Sequence, residues 1–162
     1  MTLVLIGPPG AGKTTVGKLL AERRGVPFRD TDADIEATAG KTISEIFFDE
    51  GEDHFRALER DAVATALKEY DGVLSLGGGA ILAPETRDLL KGREVVFLNV
   101  GLSDAAQRVG LNRDRPILAL NPRATLRTLL QERLPLYREV ATLEILTDGK
   151  TPAQVAEEIL AG

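Results

Sequence analysis

The 162-residue chain predicts an α/β fold, a parallel sheet of five strands with helices on both faces in three layers. Three observations carry this. Short apolar runs alternate with helix-period segments along the whole chain. Glu94 to Val100 is nearly unbroken in its apolar residues, which suits a parallel strand covered on both faces. The first apolar run, Leu3 to Ile6, leads into Gly7-x-x-x-x-Gly12-Lys13-Thr14, the phosphate-loop pattern at the mouth of a helix. In such sheets ligands gather at the C-terminal ends of the strands.

The elements follow in order. Val16 to Arg24 continues the first helix, with Gly25 as its stop and Pro27 barring simple continuation. Val26 and Phe28 begin a second strand that runs into Asp30-Thr31-Asp32. If that segment is extended, both carboxylates face one side. Ile35 to Ala39 reads as a short helix and Thr42 to Phe48 as another, with Thr42 and Glu45 at capping-box spacing. Glu52 to Tyr70 is a long helix. Val73 to Leu76 is a third strand, ending in Gly77-Gly78-Gly79, and Leu82 to Leu90 is helical with Pro84 in its first turn. After the fourth strand, Ser103 to Arg108 reads as a helix and Gly110 to Pro122 as a long loop, of the kind used as a lid. Ala124 to about Val140 is helical, with a kink or break expected after Leu134 because Pro135 follows. Leu143 to Thr147 is the last strand. Pro152 opens a final helix to Leu160. No repeat or linker divides the chain, so residues 1–162 read as one domain.

Composition narrows the function. Cysteine is absent and His54 is the only histidine, which removes thiolate chemistry, histidine metal sites and a histidine-centred triad. A formal net charge of −5 argues against nucleic-acid binding. No apolar run approaches the ~20 residues that cross a membrane, and the N-terminus lacks the basic start of a signal peptide. A cytoplasmic protein is expected.

The phosphate loop binds the donor. Its glycines let backbone N–H groups converge on an anion, Lys13 reaches outer phosphates, and Thr14 offers a hydroxyl to magnesium. Asp30 lies near that metal if strand two neighbours strand one, with water between them if needed. Asp32 has two readings that spacing alone leaves open. It either accepts a proton from an alcohol acceptor or caps the helix beginning near Ala33. An acidic chain that binds anions must gather its cations locally, which singles out Arg56, Arg115 and Arg133, with Arg108 and Arg113 nearby. Glu59, three residues after Arg56, is placed to orient it. The triple glycine would let a substrate lie against bare backbone.

Taken in order, Gly-Pro-Pro-Gly-Ala-Gly-Lys-Thr-Thr, Asp30-Thr31-Asp32, Phe55-Arg56-x-x-Glu59, Leu76-Gly77-Gly78-Gly79-Ala80, Arg115-Pro116-Ile117-Leu118 and Arg133-x-Pro135-x-Tyr137 resemble shikimate kinase over nearly the whole chain. The resemblance implies a P-loop fold like that of nucleoside monophosphate kinases. Its strand order is 2-3-1-4-5, with a mobile lid at about 110–122 and a shikimate-binding segment at about 31–60. It implies transfer of the γ-phosphate of ATP, with Mg2+, to the 3-hydroxyl of shikimate. On the same resemblance Asp32 holds shikimate hydroxyls and acts as base. Arg56 and Arg133 hold the carboxylate, and Gly77, Gly78 and Gly79 line that pocket. Gly10, Ala11, Gly12, Lys13, Thr14 and Thr15 hold the nucleotide phosphates. Thr14 and Asp30 serve the metal, and Arg115 closes the lid over the phosphates. Arg108 stacks on adenine, with Pro152 beside it. A monomer binding shikimate and ATP is expected. Gluconate kinase or a nucleotide kinase is the alternative enzyme. A binding module that has lost catalysis is the non-enzymatic alternative, disfavoured by the intact Lys13, Thr14, Asp32 and Arg115.

Overall fold

The structure is a computed structural model that describes residues 2–8, 11–69, 71–100 and 122–161. Its strands are β1 (Leu3–Ile6), β2 (Phe28–Asp30), β3 (Val73–Ser75), β4 (Glu94–Asn99) and β5 (Leu143–Leu146). They form one parallel sheet in the order β2-β3-β1-β4-β5, the order implied by the resemblance. The central β1 is buried along its whole length, and β4 has only its two ends part-exposed. Continuous apolar runs are what a strand covered on both faces requires. The edge strand β5 buries only Ile145, so its run alternates instead.

The helices are α1 (Lys13–Arg24), α2 (Thr31–Ala39), α3 (Ile43–Glu50), α4 (Glu52–Glu69), α5 (Pro84–Leu90), α6 (Pro122–Val140) and α7 (Pro152–Ala161). One face of the sheet packs on α1 and α7 through Leu5, Val16, Leu20, Leu98, Val155 and Ile159. The other packs on α4, α5 and α6 through Ile6, Val63, Leu76, Leu90, Phe97 and Tyr137. A third, smaller core of Ile35, Ile46 and Phe55 joins α2, α3 and α4. These three helices thus form a unit with its own apolar centre, beside the ends of β2 and β3.

Local sequence accounts for most boundaries. Thr42 and Glu45 make the reciprocal capping box that starts α3, each bond 3.1 Å long. Gly25 and Gly40 close α1 and α2 in the left-handed conformation. Three expectations change. Asp30 ends β2 and caps α2 by accepting a hydrogen bond from the Asp32 backbone N–H at 2.9 Å. The chain therefore turns helical at Thr31, and Asp30 and Asp32 are not related as alternate residues of one strand. Ala80 to Leu82 forms a 3-10 turn, so α5 begins only at Pro84. Finally, α6 passes through Pro135 without a break. Pro135 and Gln131, whose carbonyl loses its usual donor, both lie on the exposed side, where solvent can serve that carbonyl. The expected helix at 103–108 and the lid at 110–122, up to Asn121, lie outside the described residues, as do Gly10, Arg108, Arg113 and Arg115.

Candidate active site

Strand order sets the site. The phosphate loop follows β1, the triple glycine follows β3, and Asp30 ends β2. These are three neighbouring strands in the sequence 2-3-1, so the features stand side by side on one rim. Asp30 pairs in register with Ser75, two residues before the first of the three glycines.

The loop side is built on close backbone approach. Gly7 has φ 153°, and a Cβ there would lie 2.6 Å from the Leu98 carbonyl oxygen of β4. Only glycine lets the loop leave β1 so near its neighbour. Lys13 opens α1 and folds its ammonium back over the loop, donating to the carbonyls of Gly7 at 2.7 Å and Pro8 at 3.1 Å. The Thr14 hydroxyl donates to Asp30 Oδ2 at 3.3 Å. Asp30 reaches Thr14 although β3 lies between their strands, so the condition that strand two neighbour strand one is not needed. A hydroxyl and a carboxylate side by side are hard oxygen ligands, the donor type that magnesium takes.

Beside the loop, a cleft of about 350 Å³ is lined by Ala11, Gly12, Thr15, Thr147, Lys150 and Pro152 among others. Its mixed apolar and polar wall suits a flat heterocycle continuous with the phosphates. The start of α7 thus stands beside the loop, as the position of Pro152 in the sequence reading requires.

The acceptor side centres on the glycines. An added Cβ at Gly77 would sit 2.6 Å from Asp32 Oδ1 and 3.0 Å from Glu59 Oε2. One at Gly79 would collide with the Arg56 guanidinium. Asp32, Arg56 and Glu59 therefore pack against bare backbone, from α2 and α4. Asp30 takes the capping role, which removes the second reading of Asp32.

Arg56 Nη1 donates to Glu59 Oε1 at 2.8 Å, as the i,i+3 spacing predicts. Its Nε lies 3.5 Å from Glu52 Oε2 but is buried without a hydrogen bond. The guanidinium also stands 5.2 Å from the centroid of the Phe55 ring, a contact with the adjacent residue that spacing did not reveal. Arg133 on α6 is buried at 5% exposure, and Glu59 at 3%. Burial pushes the Glu59 carboxyl up, while the charges of Arg56 and Arg133 pull it down. Two guanidinium groups thus converge in a sheltered place, with Glu52 and Asp32 also at its edge. Paired planar donors of this kind suit a small organic carboxylate.

Tyr137 completes the group. It is one turn beyond Arg133, it is 1% exposed, and its hydroxyl donates to the Gly78 carbonyl. Its ring stacks on Phe97 with centroids 4.8 Å apart. Burial pushes the phenol up to about 12, so it remains a hydrogen-bond donor at neutral pH. The sequence contains the signal, Arg and Tyr at i,i+4 on one helix face, but nothing in it identifies the glycine carbonyl as the partner.

A phosphate loop on the first strand, with a sheltered arginine-bearing pocket at the end of its neighbour β3, defines a P-loop kinase of small molecules. Kinases of this fold use a divalent metal with the nucleotide. The chain belongs to the shikimate kinase family, whose model matches residues 9–162. It is 64% identical over 158 residues to the shikimate kinase of Salinispora arenicola, covering 98% of this chain and 95% of that one. The solved shikimate kinase of Acinetobacter baumannii in complex with shikimate superposes with a TM-score of 0.95 at 43% identity, over 98% of this chain and 90% of that one. A gluconokinase from Sinorhizobium meliloti, at 22% identity and a TM-score of 0.61, shares the fold alone. The family's reaction, and this chain's, is ATP-dependent phosphorylation of shikimate to shikimate 3-phosphate in aromatic amino-acid biosynthesis.

Proposed function

We propose that the site divides this reaction between a donor half on β1 and an acceptor half on the ends of β2 and β3. The observation that carries the division is the contact of Gly77 and Gly79 with Asp32 and Arg56. A glycine wall holding a carboxylate and a guanidinium a short way from a phosphate loop suits a polyhydroxy acid. Arg56 and Arg133 pair with the shikimate carboxylate, a planar anion that two guanidinium groups can grip bidentately. This fixes the ring so that its 3-hydroxyl is presented to Asp32. Asp32 accepts a hydrogen bond from the hydroxyl and takes its proton as the phosphoryl group moves.

On the donor half, backbone N–H groups of residues 10–15 and the Lys13 ammonium hold the phosphates of ATP. The cleft at Thr15, Lys150 and Pro152 takes the base, with Arg108 over it. Thr14 and Asp30 hold Mg2+, directly or through water. Magnesium commonly keeps several waters and takes substrate phosphates, so one hydroxyl and one carboxylate would be enough to hold it here. The metal supplies charge neutralisation along the transferring phosphates. Arg115, from the lid segment, adds positive charge there once the site closes and water is excluded.

Purified protein with MgATP is expected to release ADP in proportion to added shikimate, and not with gluconate or a nucleoside monophosphate. Release with either of those and not with shikimate would remove this assignment. Gly79→Ala is a finer test. Its Cβ displaces the end of a side chain and not a backbone, so the protein is expected to fold, with some loss of Tm because Arg56 is the partner of the buried Glu59 carboxylate. The displaced Arg56 is expected to raise KM for shikimate while KM for ATP stays level. An equal rise in both would show that the glycine wall is not specific to the acceptor.

A further inference from the structure

We propose that Tyr137 is a positioning residue for the acceptor: its phenol sets the glycine wall and the carboxylate-gripping Arg133 in one common arrangement. This rests on the functional reading above and adds to it a residue that neither binds substrate nor moves a proton.

The argument begins with the carbonyls of the triple glycine. Gly77 O accepts from the Ala80 backbone N–H at 3.1 Å, and Gly79 O accepts from the Leu82 backbone N–H at 3.1 Å. Both bonds are local and would form in any chain making this turn. Gly78 O is different. Its partner is the Tyr137 hydroxyl, 59 residues away on α6 and buried. Glycine loses more conformational freedom on ordering than any other residue, so consecutive glycines need an external tether to hold one conformation. The wall must be held closely, because Asp32, Glu59 and Arg56 lie against it with no room for a methyl group.

The phenol is itself well fixed. Its ring stacks on Phe97 of β4 at an interplanar angle of 23°, and the residue is 1% exposed. Arg133 lies one helical turn earlier at 5% exposure, near enough that its charge acts on the phenol. The phenol therefore meets the glycine backbone directly and stands beside the arginine that grips the substrate. A shift of the wall is transmitted to Arg133, and a shift of Arg133 to the wall. The donor half meets this group only through the ring, since Phe97 pairs in register with Ile6 of β1; the hydroxyl itself reaches only the glycine wall.

The test is Tyr137→Phe, which keeps the ring and its stacking and deletes one hydroxyl. The expected result is a rise of about tenfold in KM for shikimate, from a buried carbonyl left without its donor and an arginine less well held. KM for ATP is expected to stay within about twofold of the parent's, since the donor half is untouched. An Ile159→Val variant, in the core on the other face of the sheet, serves as the structural comparison. It loosens packing away from the phenol, so it is expected to lower Tm with little change in shikimate KM. An unchanged shikimate KM in Tyr137→Phe would overturn the proposal, and so would a parallel rise for ATP and shikimate. If the variant does not fold, the native side chain is read directly. The chain has two tyrosines, so protein labelled with fluorotyrosine gives two fluorine resonances. One is expected to move on adding shikimate and to stay still on adding MgATP; two unmoved resonances would overturn the proposal. Parent turnover is measured alongside. Its absence with shikimate removes both readings, whereas normal parent turnover with an unaffected variant removes only this one.

Discussion

Asp32→Asn is expected to bind MgATP as the parent does and to lose about 10²- to 10⁴-fold in kcat, the range for removal of a positioned general base. The structure makes this a clean substitution. Asparagine has the same shape, so the tight contact with Gly77 is preserved. The helix start is also preserved, because Asp30 and not Asp32 caps α2. What is lost is the capacity to take a proton from the acceptor hydroxyl. Titration of nucleotide and steady-state turnover on one preparation check both halves of the expectation. A kcat within a fewfold of the parent's would remove Asp32 as base and leave it a hydrogen-bond acceptor for shikimate hydroxyls.

Arg133→Ala is expected to raise KM for shikimate by about 10- to 150-fold, the loss that goes with a charge-assisted hydrogen bond in a sheltered site. The residue is buried beside Glu59 and Tyr137, so some loss of Tm is expected as well. Truncation leaves the Glu59 carboxylate with Arg56 as its main counter-charge, an unfavourable arrangement for an acid already pushed up by burial. Arg133→Lys separates charge from shape. It keeps a cation but loses the planar fork, and is expected to fall between parent and alanine variant. If ATP affinity fell instead and shikimate KM held, Arg133 would belong to the donor half.

The sequence showed the donor half nearly complete, for a physical reason. A phosphate loop is a local structure, and its glycines, lysine and threonine act within eight residues of one another. The central strands followed from unbroken apolar runs, the edge strands β2 and β5 from shorter or alternating ones, and the strand order from the family resemblance. The acceptor half was less legible, because it is assembled from α2, α4, β3 and α6 by packing. Asp32 could not be separated from a helix cap until Asp30 was seen to do the capping. The i,i+3 pairing of Arg56 with Glu59 was readable, because it lies on one helix. The contact of Tyr137 with Gly78 was not, because no local rule joins residues so far apart. Pro135 misled for the opposite reason. Its local rule favours a break, but α6 keeps the missing bond on its exposed side and continues.

The central claim is that the pocket beside the triple glycine recognises its substrate by the carboxylate, through Arg56 and Arg133. The most direct measurement compares the binding of shikimate with that of its primary amide, which keeps the shape and removes the charge, by calorimetric titration of the parent protein. The amide is expected to bind at least about tenfold more weakly, the difference one charged pairing makes. Equal affinities for the acid and the amide would contradict the account.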